Sequence, residues 1–220
     1  MAFQHRFVGE QASDLTLGKI VCVGRNFADH AKELNNPIPS EPILFIKPAS
    51  AAVAMEEGFS IPRDRGSVHF ETEMAILIGE TLSKASEQEA KAAIAGVGLG
   101  LDLTLRDVQS RLKEQGHPWE RAKAFDGSCP LSAFITPDAV SDLQDVGIRL
   151  TVNGETRQNG NSALMLNPVL GLISHISQYF TLEPGDVVLT GTPAGVGPIA
   201  AGDQLVVELV DLLRVTTAVR

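Results

Sequence analysis

Short apolar runs bounded by glycine, proline and asparagine recur along the chain, but strict alternation stands out in one stretch, residues 67–78. There His69, Glu71 and Glu73 fall at every second position, Val68, Phe70, Thr72 and Met74 fill the places between, and the run Ala75-Ile76-Leu77-Ile78 follows. Residues two apart on a strand share a face. The segment is therefore predicted as one strand, with three polar side chains on one side and apolar ones on the other. Buried strands are also predicted at 18–24, 42–48, 96–103, 187–190, 205–209 and 213–219. A hairpin is predicted where 148–152 and 155–158 flank Asn153-Gly154, a dipeptide suited to a tight turn with positive φ. Helical spacing covers 25–34 (Phe27, Ala31, Leu34), where Asn26 or Asp29 can cap the start and 35–39, Asn-Asn-Pro-Ile-Pro, ends it. It recurs at 83–95, at 104–115 (Leu105, Val108, Leu112, stopped by Gly116) and from Asn167-Pro168 to Tyr179. Residues 49–66 read as loop, and 116–126 as a turn carrying the single tryptophan, Trp119.

The alternating stretch brings two carboxylates to one spot. Like charges on a face that runs into the core need protons, an arginine or a divalent cation, and a hard, oxygen-preferring metal uses both carboxylates fully. A solvated strand face with accidental alternation accounts for the same pattern. Elsewhere, His30 and Glu33 are three apart and can hydrogen-bond on a short helix, which is the minimum equipment of a general base, although such pairs are also common surface ion pairs. Arg106 and Gln109 share a helix face just after Asp102, an acid flanked by leucines. Lys123 lies among small and aromatic residues, and Lys47 ends a strand where it can snorkel to water or serve a site. Gly96, Gly98 and Gly100 alternate with apolar residues but lack the spacing of a dinucleotide or phosphate loop, so a strand at close quarters with another backbone is the better account.

Composition narrows the function classes. At 220 residues, 44% hydrophobic and 20% charged, the chain can bury a large core, and a net charge of −9 argues against nucleic acid or an anionic membrane as partner. No apolar run approaches the ~20 residues of a membrane span, and residues 1–17 have no signal-peptide pattern. Cys22 and Cys129 fit reduced, buried thiols of a cytoplasmic protein better than a disulfide.

Several words of the sequence, in order, resemble the short, single-domain, acylpyruvate hydrolase-like members of the fumarylacetoacetate hydrolase superfamily: Val-Gly-Arg-Asn-Phe-Ala-Asp-His at 23–30, Phe-Ile-Lys-Pro at 45–48, His-Phe-Glu-Thr-Glu at 69–73, Leu-Asp-Leu-Thr-Leu-Arg-Asp-Val-Gln at 101–109, and Gly-Asp-Val-Val-Leu-Thr-Gly-Thr-Pro at 185–193. Phe70 stands where many relatives carry a polar residue, on the strand face away from the carboxylates. The resemblance implies an α+β fold of mixed β-sheets rolled into a flattened pseudo-barrel with peripheral helices. It further implies one catalytic domain over 1–220 without the N-terminal domain of the longer members, a lid at about 26–40, and a homodimer.

The same resemblance implies Mg²⁺ or Mn²⁺, with no organic cofactor, held by Glu71, Glu73 and Asp102, with His69 behind them orienting a carboxylate or a metal-bound water. His30 held by Glu33 resembles the base, and Arg106, Gln109 and Lys123 the donors that stabilise the oxyanion. Arg25, Lys47, Thr190, Gly191 and Thr192 are expected near the substrate. The implied substrate is a small 2-oxo acid, and the implied reaction is hydrolysis of the C–C bond of an acylpyruvate to pyruvate and a carboxylate. Oxaloacetate decarboxylation is a side activity through the same enolate. A 2-hydroxyhepta-2,4-diene-1,7-dioate isomerase or decarboxylase, and a catalytically silent metal- or ligand-binding protein, are the alternatives.

Overall fold

The computed structural model describes residues 3–9, 12–34 and 36–220. Strands and helices are numbered in chain order. A seven-stranded mixed sheet runs in the spatial order β2 (Ile43–Pro48), β1 (Lys19–Gly24), β11 (Val187–Leu189), β5 (Thr72–Ile78), β6 (Ile94–Leu101), β8 (Cys129–Leu131) and β3 (Ala52–Ala54), and it curls into a half-barrel. A four-stranded antiparallel sheet follows the order β10 (Glu155–Asn161), β9 (Gly147–Val152), β13 (Gln204–Leu209), β14 (Leu213–Ala218). The smallest sheet has β4 (Val68–Phe70) between β12 (Gly197–Pro198) and β7 (Thr104–Leu105). Helices α1 (Ala28–Glu33), α2 (Glu87–Ala92), α3 (Arg106–Glu114), α4 (Glu120–Lys123) and α5 (Val169–Ser177) complete the α+β fold. None of the described helices is long and apolar enough to cross a membrane.

Residue pattern explains each layer. Every residue of β5 is buried, as expected of a central strand covered on both faces, so its apolar run is continuous. β9 and β13 instead alternate buried with more exposed positions, turning one face to the core. The register of β9 against β10 is set at their turn by Asn153 (φ 51°) and Gly154 (φ 83°), both in the left-handed region that this two-residue turn requires. On β6 the alternating glycines leave one face without side chains. A Cβ on Gly98 would lie 2.9 Å from the Phe134 ring, and one on Gly100 would lie 2.6 Å from Leu189. The close neighbours are therefore side chains rather than the backbone expected from sequence.

Several other expectations change. The stretch 67–78 is not one strand. β4 and β5 belong to different sheets, and Glu71 occupies the joint between them. The loop expected at 49–66 contains β3, paired in parallel with β8, and a non-local pairing of two three-residue strands leaves no periodic trace in sequence. α1 takes Phe27 as its N-cap with no side-chain cap, because Asn26 is engaged elsewhere. α2 is shorter than 83–95, starting at the Ser86–Glu89 capping box. α3 starts only at Arg106, since Thr104 and Leu105 pair with His69 and Val68. The turn around Trp119 contains α4. Of the stop signal at 35–39, Asn35 lies outside the described residues.

Candidate active site

The β5–β6 ladder builds the floor of the site. Its register pairs Thr72 with Leu101 and Glu73 with Gly100, and one step further the Asp102 N–H donates to the Glu71 carbonyl at 2.8 Å. Backbone pairing thus sets Asp102 opposite Glu71, with Glu73 two residues along β5. One carboxylate oxygen from each of the three lies within 4.8 Å of the others, and all three residues are buried. Oxygens on opposite sides of one octahedral Mg²⁺ are about 4.2 Å apart, so this spacing and an all-oxygen donor set fit a hard divalent cation.

The electrostatics bear on the same fit. Lys123 Nζ donates to Glu71 Oε2 at 2.7 Å and to Asp102 Oδ2 at 2.6 Å, and Arg106 Nη2 donates to Glu71 Oε1 at 2.5 Å. Burial alone would push Glu71 up, but Lys123, Arg106 and His30 outweigh it and hold the carboxyl well below the usual range. Lys123 is pushed up: burial opposes its charge, and Asp102 and Glu71 more than compensate. Glu73 has no cation within ion-pair reach among the described residues and accepts the Gly191 N–H at 2.6 Å. Burial, then Asp102 and Glu71, hold it well above the usual range. Asp102 Oδ1 lies 2.8 Å from Lys47 Nζ, yet the angle is outside hydrogen-bond geometry and the oxygen has no hydrogen-bond partner. A buried carboxylate with no counter-cation among the described residues, Glu73, suits a bound cation. The oxygens already accepting hydrogen bonds keep a further lone pair.

One cavity collects the remaining chemistry. His30, Glu71, Glu73, Arg106, Gln109 and Lys123 all line it. His30 is 5% exposed, and its Nδ1 lies 3.3 Å from Glu33 Oε2, while Glu33 Oε1 accepts the Gly195 N–H at 3.0 Å. The imidazole is therefore oriented by a carboxylate that is itself held. Arg106 Nη1 donates to Gln109 Oε1 at 2.7 Å, leaving the Gln109 amide NH₂ as the free end. A larger cavity of about 920 Å³, beside Gly66, Val108 and Phe125, does not include the carboxylates among its lining residues.

The residues expected near substrate divide into two groups. Arg25 and Thr192 line the cavity. Arg25 holds φ at 59°, and its buried Nε has no hydrogen-bond partner among the described residues. Lys47, Thr190 and Gly191 stand behind the carboxylates. Lys47 is 0% exposed, with its ammonium on Asp102, Ser128 and the Lys123 carbonyl. The Thr190 hydroxyl donates to the Met74 carbonyl, and the Gly191 amide is taken by Glu73. His69, half-buried on β4, makes no side-chain hydrogen bond to a carboxylate among the described residues. Its pKa is lowered by burial, then by Arg106, with Glu71 and Asp107 opposing.

Two further residues shape the site, Asn26, expected only as a helix cap, and Lys113. Asn26, fully buried, donates to the Thr190 and Asn167 carbonyls and accepts two N–H groups of Asn167. It ties the start of the α1 segment to the loop that carries Gly191. Lys113 also lines the cavity. It continues the stripe of Arg106 and Gln109 on α3 at i+7, a spacing that is legible in the sequence.

Comparison with known proteins places the chain in a family. Residues 19–220 match the family described as fumarylacetoacetate (FAA) hydrolase C-terminal. The oxaloacetate tautomerase YcgM of Escherichia coli (strain K12) is 51% identical over 206 residues, covering 93% of this chain and 94% of that protein. The mitochondrial oxaloacetate tautomerase FAHD1 of Bos taurus is 43% identical over 186 residues, 84% of each chain. Among solved structures, the fumarylpyruvate hydrolase from Pseudomonas aeruginosa in complex with Mn²⁺ and pyruvate superposes with a TM-score of 0.92 at 33% identity, covering 99% of this chain and 95% of that one.

Proposed function

The chain belongs to the fumarylacetoacetate hydrolase family, and from that premise we propose that it is a divalent-metal-dependent enzyme that interconverts the enol and keto forms of oxaloacetate. The observation that carries the reading is that His30, held by Glu33, lines the same cavity as Glu71 and Glu73, whose carboxylates cluster with that of Asp102. Support comes also from the two tautomerases at 51% and 43% identity.

Glu71, Glu73 and Asp102 would hold Mg²⁺ or Mn²⁺, which when bound supplies a Lewis acid that lowers the energy of negative charge on a 2-oxo oxygen. Every other part of the chemistry falls to side chains. Tautomerisation removes the proton of the C2 hydroxyl and adds one at C3, by way of an enolate. His30 takes up a proton on the open side of the cavity and then gives it back, with Glu33 stabilising the imidazolium while it exists. Arg106, Gln109 and Lys123 present fixed donors where oxygen charge builds up. No attacking water is needed.

Acylpyruvate hydrolysis is the second reading, favoured by the likeness to fumarylpyruvate hydrolase. In it, water deprotonated by His30 adds to the distal carbonyl, the C–C bond to C3 breaks, and the same kind of enolate leaves and is protonated to pyruvate. The two separate in one assay series with Mg²⁺ and an EDTA control. Freshly dissolved enol-oxaloacetate is followed by its ultraviolet absorbance, and acetylpyruvate and fumarylpyruvate by pyruvate release. Acceleration of the enol's decay supports tautomerisation, and pyruvate release from the acylpyruvates without it transfers the assignment to hydrolysis. With no change in any of the three, both readings fail.

A further inference from the structure

We infer that Lys113 and Arg25 form a cationic clamp for the second carboxylate of a 2-oxo dicarboxylic acid, and so set the preference of the site for dicarboxylates over acylpyruvates with an uncharged acyl group. The inference rests on the reading of the site given above and adds to it the residues that select the substrate.

Charge pairing points to these two residues. Five cations surround the carboxylate cluster. Lys47, Lys123 and Arg106 each lie against Glu71 or Asp102. Arg25 and Lys113 line the same cavity and have no carboxylate within 4.0 Å among the described residues. Arg25 makes one long hydrogen bond, 3.4 Å to the Pro37 carbonyl, and its buried Nε has no hydrogen-bond partner among the described residues. A half-buried guanidinium and ammonium facing one cavity repel each other unless an anion joins them, and the described residues supply none.

Aromatic packing puts the two where a second carboxylate would reach. Phe45 and Trp119 have their ring centroids 6.0 Å apart. Lys123 Nζ lies 5.2 Å from the Phe45 centroid, and Lys113 Nζ lies 5.2 Å from the Trp119 centroid. The pair of rings thus carries one ammonium that faces the carboxylate floor and one that stands away from it. Trp119 also lies over Gly24, where a Cβ would be 3.5 Å from the ring, and Gly24 is next in sequence to Arg25. In a four-carbon 2-oxo diacid the two carboxyl carbons are about 4 Å apart, from three C–C bonds of about 1.5 Å. That span is on the scale of the ring separation, so a substrate whose 2-oxo end lies at the floor presents its other carboxylate to Lys113 and Arg25. The crowding of cations shows in Lys113 itself, whose pKa is lowered to about 8 by burial, then by Arg25, Arg106 and Lys123, with Glu71 opposing.

The test is Lys113→Met, which keeps the stem and removes the charge, measured in the Mg²⁺-loaded protein on oxaloacetate and on acetylpyruvate. A charge-assisted hydrogen bond of the usual strength corresponds to a loss of roughly 10- to 100-fold in kcat/KM for oxaloacetate. Acetylpyruvate is expected to change less than about threefold, and Lys113→Arg to recover most of the loss. Equal losses on both substrates, or no loss on oxaloacetate, would overturn the clamp. If the wild-type protein turns over neither compound, the functional reading fails separately. The clamp is then decided by calorimetry with oxaloacetate and pyruvate. Loss of the preference for oxaloacetate in Lys113→Met supports it, and an unchanged preference overturns it.

Discussion

The floor and the wall of the cavity are built by opposite means. The floor carboxylates stand on or beside β5 and β6, where each backbone position is fixed by a neighbouring strand and every residue of β5 is buried. The wall is α1, six residues long, with no side-chain cap at its start. A helix of that length is not stable by itself, so its geometry is borrowed from Asn26 at one end and from the Glu33–Gly195 hydrogen bond at the other. A cation that must be held at fixed distances is served by the sheet. On the proposed function, the base His30 is carried by a short element tied down at a few points.

The comparison makes separable demands on variants. Glu73→Gln breaks the floor. Calorimetric titration with Mn²⁺ should show metal affinity reduced by more than about 10²-fold, the outer limit for residues that only orient ligands, with turnover lost alongside it. His30→Asn breaks the wall alone, and kcat should fall by about 10² to 10⁴-fold while Mn²⁺ affinity stays unchanged. A parallel loss of metal binding would show that wall and floor are not independent.

Asn26→Ala cuts the tie between them. We expect about 2–3 kcal/mol of destabilisation in urea melts from the buried partners left unpaired, and a fall in kcat measured well below the unfolding midpoint. Stability lost with kcat intact would make Asn26 a packing residue only. A pH profile sharpens the wall further. Lys113, held down at about 8, is charged below that pH and neutral above it, and it faces Arg25, Arg106 and Lys123 with Glu71 as the opposing charge. The kcat/KM for oxaloacetate should therefore decline as pH rises through about 8, or somewhat lower once a bound divalent cation adds positive charge, and Lys113→Met should lack that limb. The smallest effect is expected from His69→Ala, less than about threefold on Mn²⁺ affinity, because no hydrogen bond joins it to the carboxylates.

What could be read from sequence follows the same division. Alternation by two exposed Glu71 and Glu73 as a pair, and the resemblance added Asp102, because the floor is a product of strand periodicity. The break at Glu71 was hidden, since a strand that leaves one sheet for another keeps its alternation. The wall was harder. His30 and Glu33 at i and i+3 look like any surface ion pair until Gly195, 162 residues away in sequence, is brought to Glu33. Lys47 read equally as a snorkelling lysine, and only the convergence of β2, α4 and the end of β6 shows it to be fully buried on Asp102. Lys113 was within reach of pattern alone, one helical step beyond Gln109.

Gly100 gives the floor its gauge. It sits opposite Glu73 in the β5–β6 ladder, and the nearest atoms to an added Cβ are the methyl groups of Leu189 at 2.6 Å and Leu131 at 3.3 Å. A methyl group there would act as a shim, tilting β6 against its neighbours without touching a single donor. Gly100→Ala therefore leaves the composition of the carboxylate cluster intact and alters only its bite. A residue with no side chain sets the calibre to which three carboxylates close.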